Sequence, residues 1–153
     1  MKLYLVRHAK AVSKYEDPAR PLSQVGSDEL TKMVEFIKPR KLCIEYLWHS
    51  SKLRAVQTAE AIADVISITG EKSERSGLHP NDSVASIRRD VEACTSDCMI
   101  VGHLPFLSVL VSDLVCGKQA LDVVAFRTAG IVCLSRFDTK YWSIEWMVTS
   151  DLF

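Results

Sequence analysis

The 153-residue chain is expected to fold as a three-layer α/β sandwich: a mostly parallel central sheet, helices on both faces, and an antiparallel strand near one side. Three observations lead there. Short apolar runs alternate with longer amphipathic segments, the pattern of strand–helix units on a parallel sheet. Arginine or histidine follows directly after several of the apolar runs, where open α/β sheets form their ligand crevices. The last two apolar segments alternate at period two around a short polar break, which reads as an antiparallel pair.

Taken in order, Lys2 to Val6 is the first strand, a largely apolar run that ends at Arg7 and His8. Ser23 supplies a helix N-cap, because its hydroxyl can accept one of the N–H groups that a first helical turn leaves free. Leu30, Met33, Val34 and Ile37 then recur at helical spacing until Pro39 stops the helix. Ile44 to Trp48 is the second strand, His49-Ser50-Ser51 a turn with hydroxyl caps, and the clearest helix runs from about Lys52 to Ile66. Glu71 to Arg75 reads as a short edge strand, Ser83 to Ala93 as a third helix, and Cys98 to Val101 as a third core strand. Pro105 sits where a first helical turn tolerates proline, and its helix ends near Cys116-Gly117. Ile131 to Phe137 and Trp142 to Val148 alternate on either side of Asp138-Thr139-Lys140, a hairpin-like break. Trp142 and Trp146, four apart on a strand of period two, are expected to share one face as packing residues. No repeat, low-complexity tract or linker interrupts the chain, and residues 1–153 read as one domain.

Composition removes several function classes. Nineteen basic and 19 acidic residues give a formal net charge of zero, so neither a nucleic-acid surface nor a membrane-attracted face is expected, and any basic site must be local. The apolar runs are too short to span a bilayer, and the N-terminus lacks the roughly 7–15 residue apolar core of a signal peptide, which leads to an expectation of a cytoplasmic protein. Cys43, Cys94, Cys98, Cys116 and Cys133 are odd in number and form no CxxC pair, so reduced, mostly buried thiols are expected.

Three reactive groups fall in equivalent places. Arg7-His8 follows the first strand, Arg54 follows the second strand and its turn, and His103 follows the strand CMIVG. Parallel strands would bring all three to one carboxyl edge. The stretches SSKLR and HLPF also lead into helices, whose free N–H groups and positive dipole ends favour an anion. Two arginines and two histidines around one crevice describe a receptor for a doubly charged tetrahedral oxyanion, and phosphate is the obvious candidate. The arginine fork can grip two phosphoryl oxygens at once. A neutral imidazole, with an ordinary pKa of about 6.5, is a nucleophile that can accept a phosphoryl group and release it to water. Either His8 or His103 has that chemistry. The ring beside an arginine at the tight strand-to-loop turn is the better held, so His8 is read as the nucleophile and His103, in its charged form, as a transition-state stabiliser with Arg7 and Arg54. Phosphoryl transfer rests on in-line positioning and on neutralising the equatorial oxygens, so these four groups need neither metal nor other cofactor.

RHA at 7–9, RPLS at 20–23 followed by Gly26, SSKLRAVQTAEAI from 50 to 62, and VGHLP at 101–105 resemble, in matching order, the signature blocks of the histidine phosphatase superfamily, also called the phosphoglycerate-mutase-like fold. The compact length and the HLP form of the last block resemble its small SixA-type phosphohistidine phosphatase branch. The resemblance implies that His8 is phosphorylated in turnover, that Arg7, Arg54 and His103 complete the phosphate pocket, and that Arg20 touches phosphate from its rim. Ala9 stands where most of the superfamily has glycine; its methyl is tolerable unless the position needs positive φ. The superfamily's acidic proton donor has three candidates here, Asp82, Asp17 and Glu16. Phosphohistidine reduces the need for one, since imidazole leaves more readily than an alkoxide.

The expected substrate is therefore phosphohistidine in a protein, with a small phosphometabolite as the alternative. A mutase would need the long lid insertions that this chain lacks, a noncatalytic phospho-binding module would not need a nucleophile, and a metal hydrolase would need HxH, HExxH or clustered aspartates. His49 and His79 read as turn and loop residues. Composition does not fix the oligomeric state.

Overall fold

The computed structural model describes residues 1–138 and 141–153. Its six strands are β1 (Lys2–Arg7), β2 (Cys43–His49), β3 (Ser67–Glu74), β4 (Cys98–Gly102), β5 (Ile131–Ser135) and β6 (Ser143–Val148). Four helices connect them: α1 (Gln24–Ile37), α2 (Leu53–Ala63), α3 (Ala85–Ala93) and α4 (Phe106–Cys116). All six strands lie in one sheet in the order β3-β2-β4-β1-β5-β6. β1 to β4 run parallel, and β5 pairs antiparallel with both β1 and β6.

Side-chain alternation along the central strands builds a separate core on each face of the sheet. Leu3, Leu5 and Ile100 pack with Ile87 and Val91 of α3 and with Leu107, Leu110 and Val111 of α4. Tyr4, Val6, Met99 and Val101 face the other way, onto Leu30, Met33 and Ile37 of α1 and Ala55, Ala59 and Ile62 of α2. Every residue of β4 is buried, as expected of a central parallel strand covered on both sides.

Local signals place most of the boundaries. Ser23 caps α1, its Oγ accepting the Gly26 N–H at 3.1 Å, and Pro39 sits in the 3-10 turn that follows Ile37. Gly117 ends α4 with φ of +69°. The differences have physical causes. α2 stops at Ala63 rather than Ile66, because the β-branched stretch that follows turns into β3. β3 starts at Ser67 rather than Glu71; as a mostly exposed strand it lacks the buried alternation that marks the others. β5 stops at Ser135, where Arg136 turns to donate to the carbonyls of Glu92 and Cys94 at 3.2 and 2.8 Å. Trp142 and Trp146 do not share a face. Trp142 precedes β6 and joins the α3/α4 core, and a register shift opposite Cys133/Leu134 turns Trp146 toward the α1/α2 side. Of the five thiols only Cys98 and Cys133 are buried; Cys43 and Cys116 are exposed, Cys94 is half-buried, and all are free. Asp138 can be described in the break between β5 and β6, whereas Thr139 and Lys140 lie outside the described residues. Among the described residues, no helix is long and apolar enough to cross a membrane.

Candidate active site

The carboxyl ends of β1, β2 and β4 are adjacent, and their backbones cross-link just beyond the strands. The His8 N–H donates to the Gly102 carbonyl at 3.0 Å and the Ser50 N–H to the Val101 carbonyl at 3.1 Å. This brings Arg7, His8, Ser50 and His103 to one edge, and α2, which starts just after Ser50, delivers Arg54 to the same place. The His8 and His103 rings lie 5.0 Å apart between centroids, and Arg54 Nε is 3.4 Å from His8 Nε2.

The tautomer of His8 follows from its neighbours. Its Nδ1 is 2.7 Å from the Ala9 carbonyl oxygen, an acceptor only, so Nδ1 carries the proton and donates it. Nε2 therefore presents a lone pair, on the side where Arg54 stands. Burial lowers the His8 pKa to about 4; the Ala9 hydrogen bond, next in size, pulls it upward, and the charges of Arg54, Arg7 and Arg20 add to the lowering. At neutral pH the ring is uncharged and its outer nitrogen is nucleophilic.

His103 is 1% exposed, and its Nε2 shares a 2.7 Å hydrogen bond with Ser50 Oγ, which also accepts the Lys52 N–H at 3.3 Å. Burial first, then His8, Arg54, His79 and Lys52, lower its pKa to about 3. The charged His103 expected from the sequence is thus corrected to a neutral ring in this arrangement, because the ring is sealed from water among cations.

Arg7 is anchored from behind. Its Nη1 donates to the Phe126 carbonyl at 2.9 Å, while burial and Arg127 lower its pKa and Glu29 opposes them. Arg54 is 8% exposed and likewise lowered, by burial and then by Arg20. Arg7 Nε and His103 Nδ1 are buried and have no hydrogen-bond partner among the described residues. Arg20 stands on the rim in the left-handed region, φ +50°, held by its Nε donating to the Val12 carbonyl at 3.0 Å. The loop carrying it closes on itself through the Ala11–Leu22 bridge and the Val12 N–H to Pro21 carbonyl bond at 2.9 Å.

Ala9 is not among the positive-φ residues, so its methyl causes no strain; it is fully buried in the α1/α2 core. Of the three carboxylate candidates, Asp82 Oδ2 accepts the His79 N–H at 2.8 Å, Asp17 Oδ1 accepts the Ala19 N–H at 2.9 Å, and Glu16 is exposed on the rim loop. Among the described residues, no three His, Cys, Asp or Glu side chains gather to hold a metal ion.

Several residues that position the site escaped the sequence reading. Thr58 Oγ1 accepts the Ala9 N–H at 3.0 Å and donates to the Arg54 carbonyl at 2.7 Å, tying the His8 loop to the helix that carries Arg54. Gln57 Oε1 accepts the Leu22 N–H at 2.8 Å. Ser50 orients His103 and does not merely cap a turn. All three lie inside the SSKLRAVQTAEAI block, Thr58 one helical turn after Arg54, and that spacing was the signal available.

The model of the histidine phosphatase superfamily (branch 1) matches residues 3–77, which contain Arg7, His8, Arg20 and Arg54. Phosphohistidine phosphatase SixA of Escherichia coli (strain K12) is 26% identical over 154 residues, covering 97% of this chain and 94% of that protein. These matches support the histidine phosphatase superfamily. The similarity to SixA runs over nearly the whole chain, supports the SixA-type branch and indicates a phosphatase. A structure of the protein histidine phosphatase SixA complexed with tungstate superposes with a TM-score of 0.86 at 25% identity, covering 99% of both chains. The α-ribazole phosphatase of Shigella flexneri has the same fold, with a TM-score of 0.76 at 13% identity over 98% of this chain and 97% of its own. The superfamily fold places both histidines and both arginines of this phosphatase at one sheet edge, although His103 lies beyond the matched residues 3–77.

Proposed function

We propose that this phosphatase hydrolyses phosphohistidine in proteins through a phosphoryl group carried covalently on His8. The observation that carries the reading is the His8 ring itself: Nδ1–H is committed to the Ala9 carbonyl, the pKa is lowered to about 4, and Nε2 is left unprotonated beside Arg54. In this account His8 Nε2 attacks phosphorus, Arg7 and Arg54 grip the equatorial oxygens, His103 takes up a proton as the dianion arrives, and Arg20 contacts phosphate at the rim. Tungstate, bound in the SixA structure, is a tetrahedral oxyanion of the kind these groups suit.

A protein substrate is favoured by the short loops around the pocket. The rim segment from Val12 to Arg20 is a tight, self-bonded loop whose Tyr15 is 89% exposed, and it leaves a protruding side chain free to enter. The deciding experiment compares turnover of a phosphohistidine protein with a panel of small phosphomonoesters, all in excess chelator. Faster turnover of the phosphoprotein supports the reading; preference for a small ester assigns the enzyme to a phosphometabolite, and dependence on added metal contradicts the mechanism.

A further inference from the structure

One imidazole at the pocket mouth has no role so far. His79 follows β3 in the loop leading to α3, and its Nε2 lies 2.7 Å from Oγ of Ser51, the neighbour of the serine that holds His103. The loop is fixed there: Asp82 Oδ2 accepts the His79 N–H at 2.8 Å, the Asp82 N–H donates back to the His79 carbonyl at 3.2 Å, and Leu78 is fully buried beneath it. His79 itself is exposed, yet near enough to lower the basicity of His103. With Nε2 engaged by Ser51, Nδ1 is the nitrogen left to meet a substrate.

The carboxylates do not compete for that position. Asp82 and Asp17 hold backbone N–H groups of their own turns, and no carboxylate figures among the main influences on His8, His103 or Arg54. We propose that His79 is the general acid and base of this site, an assignment that rests on His8 being the nucleophile. In the first step the His8 Nε2 lone pair forms the N–P bond. The bond from phosphorus to the leaving oxygen or nitrogen breaks with its electron pair, and that atom takes the Nδ1 proton of the His79 imidazolium. In the second step a water oxygen attacks phosphorus, the N–P bond returns its pair to His8 Nε2, and the water proton passes to Nδ1 of the neutral His79. One water is consumed, phosphate and the protonated leaving group depart, and both imidazoles end as they began. Asp82 faces His79 from its own loop, and His103 lies behind Ser50, its basicity lowered by both His79 and Lys52.

His79→Gln keeps a hydrogen-bonding group for Ser51 and has no proton to transfer. The readout is single-turnover labelling of the enzyme by an alkyl phosphate, whose alkoxide needs a proton to leave, and by nitrophenyl phosphate, whose phenolate leaves as a stable anion. Labelling by the alkyl ester is expected to slow by about 10² or more and labelling by the nitrophenyl ester by less than about fivefold, as loss of a general acid requires. Equal slowing of both, or no slowing of either, overturns the assignment. A parent enzyme that gives no acid-labile label with either ester would instead contradict the role of His8, which separates the two failures.

Discussion

Arg54 Nε stands 3.4 Å from His8 Nε2, while the other nitrogen of the same ring donates to the Ala9 carbonyl at 2.7 Å. The short contact fixes the ring, and the long one points at the atom proposed to react. Because Arg54 sits on α2 and His8 on the loop after β1, their spacing depends on what joins those two elements, and Thr58 bonds both.

Thr58→Val keeps the side-chain volume but leaves the Ala9 N–H buried without a partner. Destabilisation of about 1–3 kcal/mol is expected, the cost of an unsatisfied buried donor, together with a fall in kcat as the His8–Arg54 spacing loosens. Urea unfolding and steady-state kinetics on the same preparation check both; a variant as stable and as active as the parent contradicts the positioning role.

Gly26 packs the start of α1 against the loop after His8. A Cβ there would lie 1.9 Å from the Lys10 carbonyl oxygen, so the backbones must separate. Gly26→Ala is expected to destabilise by at least about 1–3 kcal/mol, as overpacking does, and thermal unfolding reads it directly.

Reversing the charge at Arg20 tests the rim. If Arg20 binds the phosphoryl group equally in ground and transition states, Arg20→Glu raises KM about tenfold or more and changes kcat less. An unchanged KM removes Arg20 from the site.

Both active-site histidines have pKa values below the ordinary 6.5 or so, about 4 for His8 and about 3 for His103, chiefly because they are buried. As pH falls from about 6.5 toward 4 for His8 and toward 3 for His103, the unfolded chain binds protons that the folded chain refuses, so their contribution to stability is fully present above about 6.5 and is lost progressively down to those values. Unfolding free energy should decline from pH about 6.5 to 4.5, and His103→Gln should decline less steeply than the parent. Parallel curves would mean that His103 takes up its proton as readily in the folded chain as in the unfolded one, against the lowered pKa.

The arrangement of the reactive groups was legible because each follows a short apolar run, and parallel strands deliver whatever follows them to one edge. Ser23, Pro39 and Gly117 marked helix ends through local chemistry alone. What stayed hidden was of two kinds. β3 buries almost nothing, so Ser67–Glu74 shows no alternation to read. The bonds Thr58–Ala9, Ser50–His103 and Ser51–His79 join segments far apart in sequence, where no periodicity links the partners. Charge state was also out of reach, since His103 is neutral only because the fold buries it among cations.

The nucleophile is tested most directly by chemical quench. Enzyme mixed with labelled substrate and stopped in alkali should retain a phosphoryl label on the peptide carrying His8, and the label should be lost on acid treatment, as a phosphoramidate is and a phosphoserine from Ser50 or Ser51 is not. His8→Ala should abolish both label and turnover, whereas Arg7→Ala and His103→Ala should slow labelling by roughly 10² to 10³, the usual cost of removing one preorganised charge stabiliser. An acid-stable label, or near-parent turnover by His8→Ala, would contradict the account.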